Sequence, residues 1–175
     1  MAMAALYGKV LFETEWDHVY TDGSCYDNGR PYARTGAGVF WGINSSKNKS
    51  VQVPGQQSNN RGEVLAVLLA LLSSDPCQSL MIFSDSEHVI RSLCYWAPKN
   101  AEMGWTCANG DILQDIVKVI RWRVAQTMFI WIKDHAGNDR GDKTDALAKE
   151  GDRKPATHID YKKLHENPWS HTASG

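Results

Sequence analysis

The feature that most constrains this chain is a four-residue apolar run, Leu80 to Phe83 (LMIF), followed at once by Ser84 and Asp85. A strand without polar alternation is buried on both faces, as in the centre of a parallel sheet. Such a strand needs helices above and below it. Asn60 to Leu72 (NRGEVLAVLLALL) supplies one, with Ser58 placed to cap it and Pro76 beyond its end. Ser86 to Tyr95 reads as a second helix, broken by Pro98.

Upstream, Asp17–Cys25, Gly36–Ile43 and Ser50–Val53 read as three strands with short connections, hence an antiparallel meander. Downstream, Asp111–Val124 has apolar residues at 112, 113, 116, 119 and 120, a helical period. Thr127–Ile132 is a fifth strand. Asp142–Glu150 is a last helix, capped by Asp142 and stopped by Gly151. Three strands followed by βαβ units predict an α/β fold with a mixed sheet and helices on its faces. The 175 residues fit one domain. Residues 1–15 read as a loosely ordered leader, 16–152 as the domain, and 153–175 as a polar tail.

A net charge of −1 announces no nucleic-acid binder, so any attraction to phosphates must be local. No apolar run approaches the roughly 20 residues of a membrane span. The leader carries Glu13 and Glu15 and lacks an arginine-rich pattern, so it resembles neither a signal nor a transit peptide. An intracellular protein is expected, with nucleus and cytoplasm both open. Cys25, Cys77, Cys94 and Cys107 form no C-x-x-C pair and read as free thiols. Of the seven tryptophans, most are expected in the core.

Four carboxylates stand in unusual places. Asp22 interrupts the first strand, where Asp is disfavoured. Glu63 lies in the first turn of an otherwise apolar helix. Asp85 directly follows LMIF, and Asp145 opens the last helix. Each has a plain structural reading, as a helix-dipole partner, a cap or a strand end. Strand ends and helix N-termini converge at the switch point of an α/β sheet, however. Converged carboxylates repel one another unless a cation neutralises them. Mg²⁺ suits hard oxygen ligands, and a pair of ions suits displacement at phosphorus.

At these residues the chain resembles the type 1 ribonuclease H family. The resemblance runs from about Val19 to Gly151 through YTDGSC, GAGVFWG, GQQSNNRGEVLAV, FSDSEHVI, the pair Trp96 and Trp105, and HAGNDRGDKTDALA. It implies a five-stranded mixed sheet of strand order 3-2-1-4-5 with helices on both faces. It also implies hydrolysis of the RNA strand of RNA–DNA hybrids with two metal ions, Mg²⁺ or its substitute Mn²⁺. The family's metal-binding quartet falls on Asp22, Glu63, Asp85 and Asp145, and its loop histidine on His135. Asn28, Asn59 and Asn60 match amides that contact the groove, where A-form RNA displays 2′-hydroxyls. Asn109 matches an amide near the DNA strand, Ser58 the hydroxyl of a phosphate pocket, and Trp96 and Trp105 an aromatic wall. A monomer is expected, with a tethered reverse transcriptase or an accessory binding domain as its partner.

Three departures stand out. Asp142 and Thr144 replace the usual Asn and Ala, Gln56 replaces an arginine of the phosphate pocket, and Ala97–Met103 lacks the usual lysines. The cations left to meet phosphates are Arg30, Lys99, Arg121, Arg123, Lys133 and Arg140. A non-catalytic hybrid-binding domain beside a reverse transcriptase is the competing expectation, which the presence of all four acids disfavours. A proofreading exonuclease would carry Glu where Ser24 stands.

Overall fold

The computed structural model describes residues 6–8, 15–133 and 138–155. Strands β1 (Trp16–Tyr26), β2 (Arg34–Phe40) and β3 (Lys49–Gln52) precede helix α1 (Asn59–Ser73) and strand β4 (Ser79–Ser84). Then come α2 (Glu87–Arg91), a π-helical turn (Ser92–Trp96), α3 (Ala97–Glu102) and α4 (Gly110–Trp122). Strand β5 (Thr127–Trp131) and α5 (Asp139–Gly151) complete the order. The sheet runs β3-β2-β1-β4-β5, antiparallel on the β2 side of β1 and parallel on the β4 side. This is the expected mixed sheet.

Neighbouring residues of β1 point to opposite faces. A Cβ on Gly23 would strike the backbone of Gly62 and Glu63 in α1. A Cβ on Gly38, the ladder partner of Asp22, would strike Thr144 and Ala148 in α5. The two helices therefore cover opposite faces, and each approaches β1 and β2 at backbone distance because glycine lets it. Between α1, α4 and the sheet lies the core, with Val19, Leu65, Leu68, Leu71, Ile82, Ile112 and Ile116 buried. Each such side chain contributes roughly 1.5–3 kcal/mol.

Several boundaries and placements differ from the sequence expectation. Strand β2 ends at Phe40 rather than Ile43, because Asn48 Oδ1 takes the N–H of Trp41 at 2.7 Å and turns the chain. Pro98 does not break the helix. It lies in the first turn of α3, where the missing N–H loses no helical bond. The cap of α5 is Asn138, whose Oδ1 accepts from Arg140 and Gly141, so Asp142 lies inside the helix. Gly151 does not stop that helix but ends within it, where a Cβ would strike Val51 of β3. None of the six described tryptophans is buried, and Trp96, Trp122 and Trp131 are exposed.

Arg123 is also misplaced by sequence reasoning. It is buried, and donates to Ser74 Oγ and to the carbonyls of Asp75 and Gln78, with Nε 3.1 Å from Thr127 Oγ1. Burial lowers its pKa to about 10. It ties β5 to the α1–β4 connection and is closed to phosphates. Tyr7, within the leader, donates to the carbonyl of Leu93 at 2.7 Å and packs on the core. The other leader residues, except Leu6, Gly8 and Glu15, and the tail beyond 155 lie outside the described residues. The four cysteines are free. Among the described residues no helix is long and apolar enough to cross a membrane.

Candidate metal centre and nucleic-acid interface

The parallel ladder fixes two acids side by side. Its last paired step is Tyr20 with Phe83, and two residues further along each strand stand Asp22 and Asp85. Gly23 lets α1 close onto the same point and brings Glu63 in from the second turn of that helix, one turn later than the sequence expectation. Carboxylate oxygens of Asp22, Glu63 and Asp85 all lie within 4.8 Å of one another, a group that could hold a metal ion.

The electrostatics of this group need a cation or a proton. Asp22 and Glu63 are buried, and Asp85 is half-buried. Asp22 Oδ1 accepts from the N–H of Gly23 at 2.9 Å. Glu63 Oε2 is buried with no hydrogen-bond partner among the described residues. Burial, then the charges of Asp22 and Asp85, hold the Glu63 carboxyl well above the usual carboxylate range. A divalent cation would relieve all three costs, so the residues present fit one. Trp131 Nε1 donates to the Asp85 carbonyl at 3.2 Å and steadies the end of β4.

Asp145 stands apart from this trio. It lies in α5 on the Gly38 face, and its Oδ2 pairs with Lys149 at 2.8 Å. Lys149 is raised in pKa chiefly by Asp145, with a smaller contribution from Asp22, so the pair sits within electrostatic reach of the cluster. His135 lies outside the described residues.

The three amides expected at the groove lie near one another. Asn28 follows the left-handed Asp27 in the β1–β2 hairpin, and its Oδ1 accepts from the N–H of Asn59 at 3.4 Å. Asn28, Asn59 and Asn60 are all exposed. Ser58 caps α1, with Oγ accepting from Arg61 N at 3.2 Å. Asn109 takes a left-handed φ of 58° before α4, and its Oδ1 accepts from Arg61 Nη1 at 3.4 Å. Trp105, half-buried against the core, has a φ of 59°. Trp96 stands out from the π-helical turn, edge-on to His88.

A family model, RNase H, matches residues 15–153. The chain belongs to the RNase H family. It is 33% identical over 141 residues to Ribonuclease H1 of Mus musculus, a match that covers 76% of this chain and 49% of that relative. The chain thus spans about half the length of the mammalian relatives it matches. It is 31% identical over 140 residues to Ribonuclease H of Paramagnetospirillum magneticum, covering 76% of this chain and 87% of that one. The RNase H fold is shared with a solved structure of the foamy viral protease-reverse transcriptase in complex with dsDNA. That likeness has a TM-score of 0.64 at 19% identity, over 78% of this chain and 93% of the other.

Sequence reasoning missed three supporting residues. Lys149 was readable as an i+4 partner of Asp145. Arg61 was readable as the one cation in the first turn of α1. Trp131 carried no signal, because nothing in its neighbourhood of the sequence points to Asp85.

Proposed function

We propose that this chain is an endoribonuclease that hydrolyses the RNA strand of RNA–DNA hybrids by a two-metal-ion mechanism. Mg²⁺ is the proposed ion and Mn²⁺ its substitute. The observation that carries this reading is the packing of Asp22, Glu63 and Asp85 around a buried, unpartnered Glu63 oxygen. Asp145 completes the set on turning from Lys149. Ions held there supply Lewis acidity at the scissile phosphate and an activated water.

The other roles belong to the chain itself. Burial and the charges of Asp22 and Asp85 favour the protonated form of Glu63, and a bound cation would favour its ionised, ligating form. His135 assists proton transfer at the leaving oxygen or the release of product. Asn28, Asn59 and Asn60 hydrogen-bond the groove, where 2′-hydroxyls distinguish RNA from DNA. Ser58 and Asn109 receive a backbone phosphate, and Trp96 and Trp105 pack beside the DNA strand. The domain works inside the cell as a monomer. Its partner is a tethered reverse transcriptase or a hybrid-binding accessory domain.

The test is incubation with labelled hybrid, duplex DNA and duplex RNA, each with Mg²⁺, Mn²⁺ or EDTA. Only the RNA strand of the hybrid is cut, and EDTA stops it. Asp22→Asn keeps the fold and loses most cleavage. His135→Ala retains residual activity, since acid–base assistance is worth roughly 10²–10⁴-fold. Cleavage by Asp22→Asn at the wild-type rate would overturn the metal assignment. Binding of hybrid without any cleavage by the wild type would favour a non-catalytic domain instead.

A further inference from the structure

Arg61 is a cation at the start of a helix whose remaining buried positions are almost wholly apolar, and its side chain is only 10% exposed. Its charge is met by a fork onto Asp111, Nη1 to Oδ1 at 3.1 Å and Nη2 to Oδ2 at 2.8 Å. Nε donates to the carbonyl of Pro54 at 3.2 Å. Those bonds alone would account for a buried ion pair.

Two more contacts go to residues of the nucleic-acid interface. Nη1 also donates to Asn109 Oδ1, and the main-chain N–H donates to Ser58 Oγ. A hydroxyl and a carboxamide can each donate or accept. Arg61 occupies an acceptor of both. Each oxygen keeps one lone pair, and both donors, the Ser58 O–H and the Asn109 NH₂, stay free to meet a ligand. Asn109 also forgoes its usual role, for it precedes α4 in a left-handed conformation with no side-chain cap bond. An Asn at that position normally caps with the same oxygen that Arg61 takes here.

We infer that Arg61, held by Asp111, is a positioning residue that fixes Asn109 as a donor, beside a Ser58 hydroxyl oriented by the helix cap, toward a phosphate of the DNA strand. The inference rests on the ribonuclease reading above. It explains how the pocket keeps its preference for an anion where Gln56 brings no charge. A lysine could not replace Arg61, because the contact to Asn109 shares a nitrogen of the planar fork on Asp111.

The experiment compares wild type, Asp111→Asn, Asn109→Gly and the double variant on hybrid with Mg²⁺, reading KM and kcat separately. Asp111→Asn and Asn109→Gly each raise KM two- to fivefold with kcat within twofold, and the double variant does no worse than the poorer single. Single neutral methylphosphonate linkages walked along the DNA strand give the second readout. One linkage raises the wild-type KM, and that sensitivity is lost in both single variants. A merely structural Arg61–Asp111 pair would give multiplying KM effects and leave the linkage sensitivity of Asp111→Asn intact, which overturns the inference. An unchanged KM in Asp111→Asn overturns it too. If Arg61→Lys is folded by circular dichroism, it shows the same KM defect, and a wild-type KM there also sinks the idea. A wild type that neither binds nor cuts hybrid removes the ribonuclease reading and this one with it, whereas normal cleavage without coupling removes this one alone.

Discussion

Lys149 Nζ lies 2.8 Å from Asp145 Oδ2, one helical turn along α5, and so the fourth acid of the proposed metal set already has a counter-ion. A cation that recruits Asp145 must displace that ammonium. Exposed i,i+4 pairs contribute only about 0.3–0.5 kcal/mol, so the competition is mild. Lys149→Met is expected to tighten the weaker of two Mn²⁺ binding steps about twofold by that arithmetic. Calorimetry of the apo protein measures it, and weaker binding in the variant would show that Lys149 assists rather than competes.

Glu63 sets a pH dependence whose sign follows from its raised carboxyl. The folded metal-free protein holds this proton more tightly than the unfolded chain. Its contribution to stability is complete below the ordinary value of 4.5 and is lost as pH climbs through the raised one. In EDTA, chemical denaturation should therefore show stability falling with rising pH in that window. Glu63→Gln should flatten the fall. A wild-type profile that rises there instead contradicts the protonated cluster. Adding Mg²⁺ should release protons, seen as a buffer-dependent binding enthalpy.

Gly38 faces Thr144 and Ala148 directly across the ladder from Asp22. Gly38→Ala should push α5 off the sheet and cost about 1–3 kcal/mol, as overpacking does. It should also lower cleavage, because Asp145 moves with α5. Gly42→Ala is the control, since a Cβ there meets nothing within 4 Å. Equal melting temperatures for the two variants would refute the close approach.

The hybrid should bind weakly at physiological salt. With Arg123 buried, the remaining candidates are Arg30, Lys99, Arg121, Lys133 and Arg140, all of them exposed. Each phosphate neutralised adds about 0.9 to the log–log salt slope, so a slope of about 2–4 is expected. Titrating Asp22→Asn with hybrid at several salt concentrations checks this. Nanomolar binding near 150 mM salt, or a slope above about 6, would point to a larger basic surface.

The mixed sheet was legible because periodicity and connection length act locally and LMIF read as central, whereas its strand order was what the family resemblance implied. The meeting of Asp22, Glu63 and Asp85 was legible because each acid stands where an acid is locally awkward. What was illegible depends on distant partners. Arg123 reads as a surface cation until the carbonyls of Asp75 and Gln78 are brought to it. The tryptophans read as core by composition, but their exposure is decided by where on a strand, helix or loop each one lands. The cap of α5 was misread because Asn138 and Asp142 are both good caps, and only the structure says which backbone N–H groups are free.

The π-helical turn at Ser92–Trp96 has a consequence for how this region tolerates change. A π turn behaves as one residue more than a regular helix would hold. Removing that extra residue lets the turn close as α-helix and leaves Trp96 and α3 facing as they do, whereas removing a residue from regular helix rotates everything after it by about 100°. Scanning by deletion would therefore find this turn more tolerant than the helix on either side. The turn carries slack in its length, and the aromatic edge keeps its direction there through a change of count that would redirect it elsewhere.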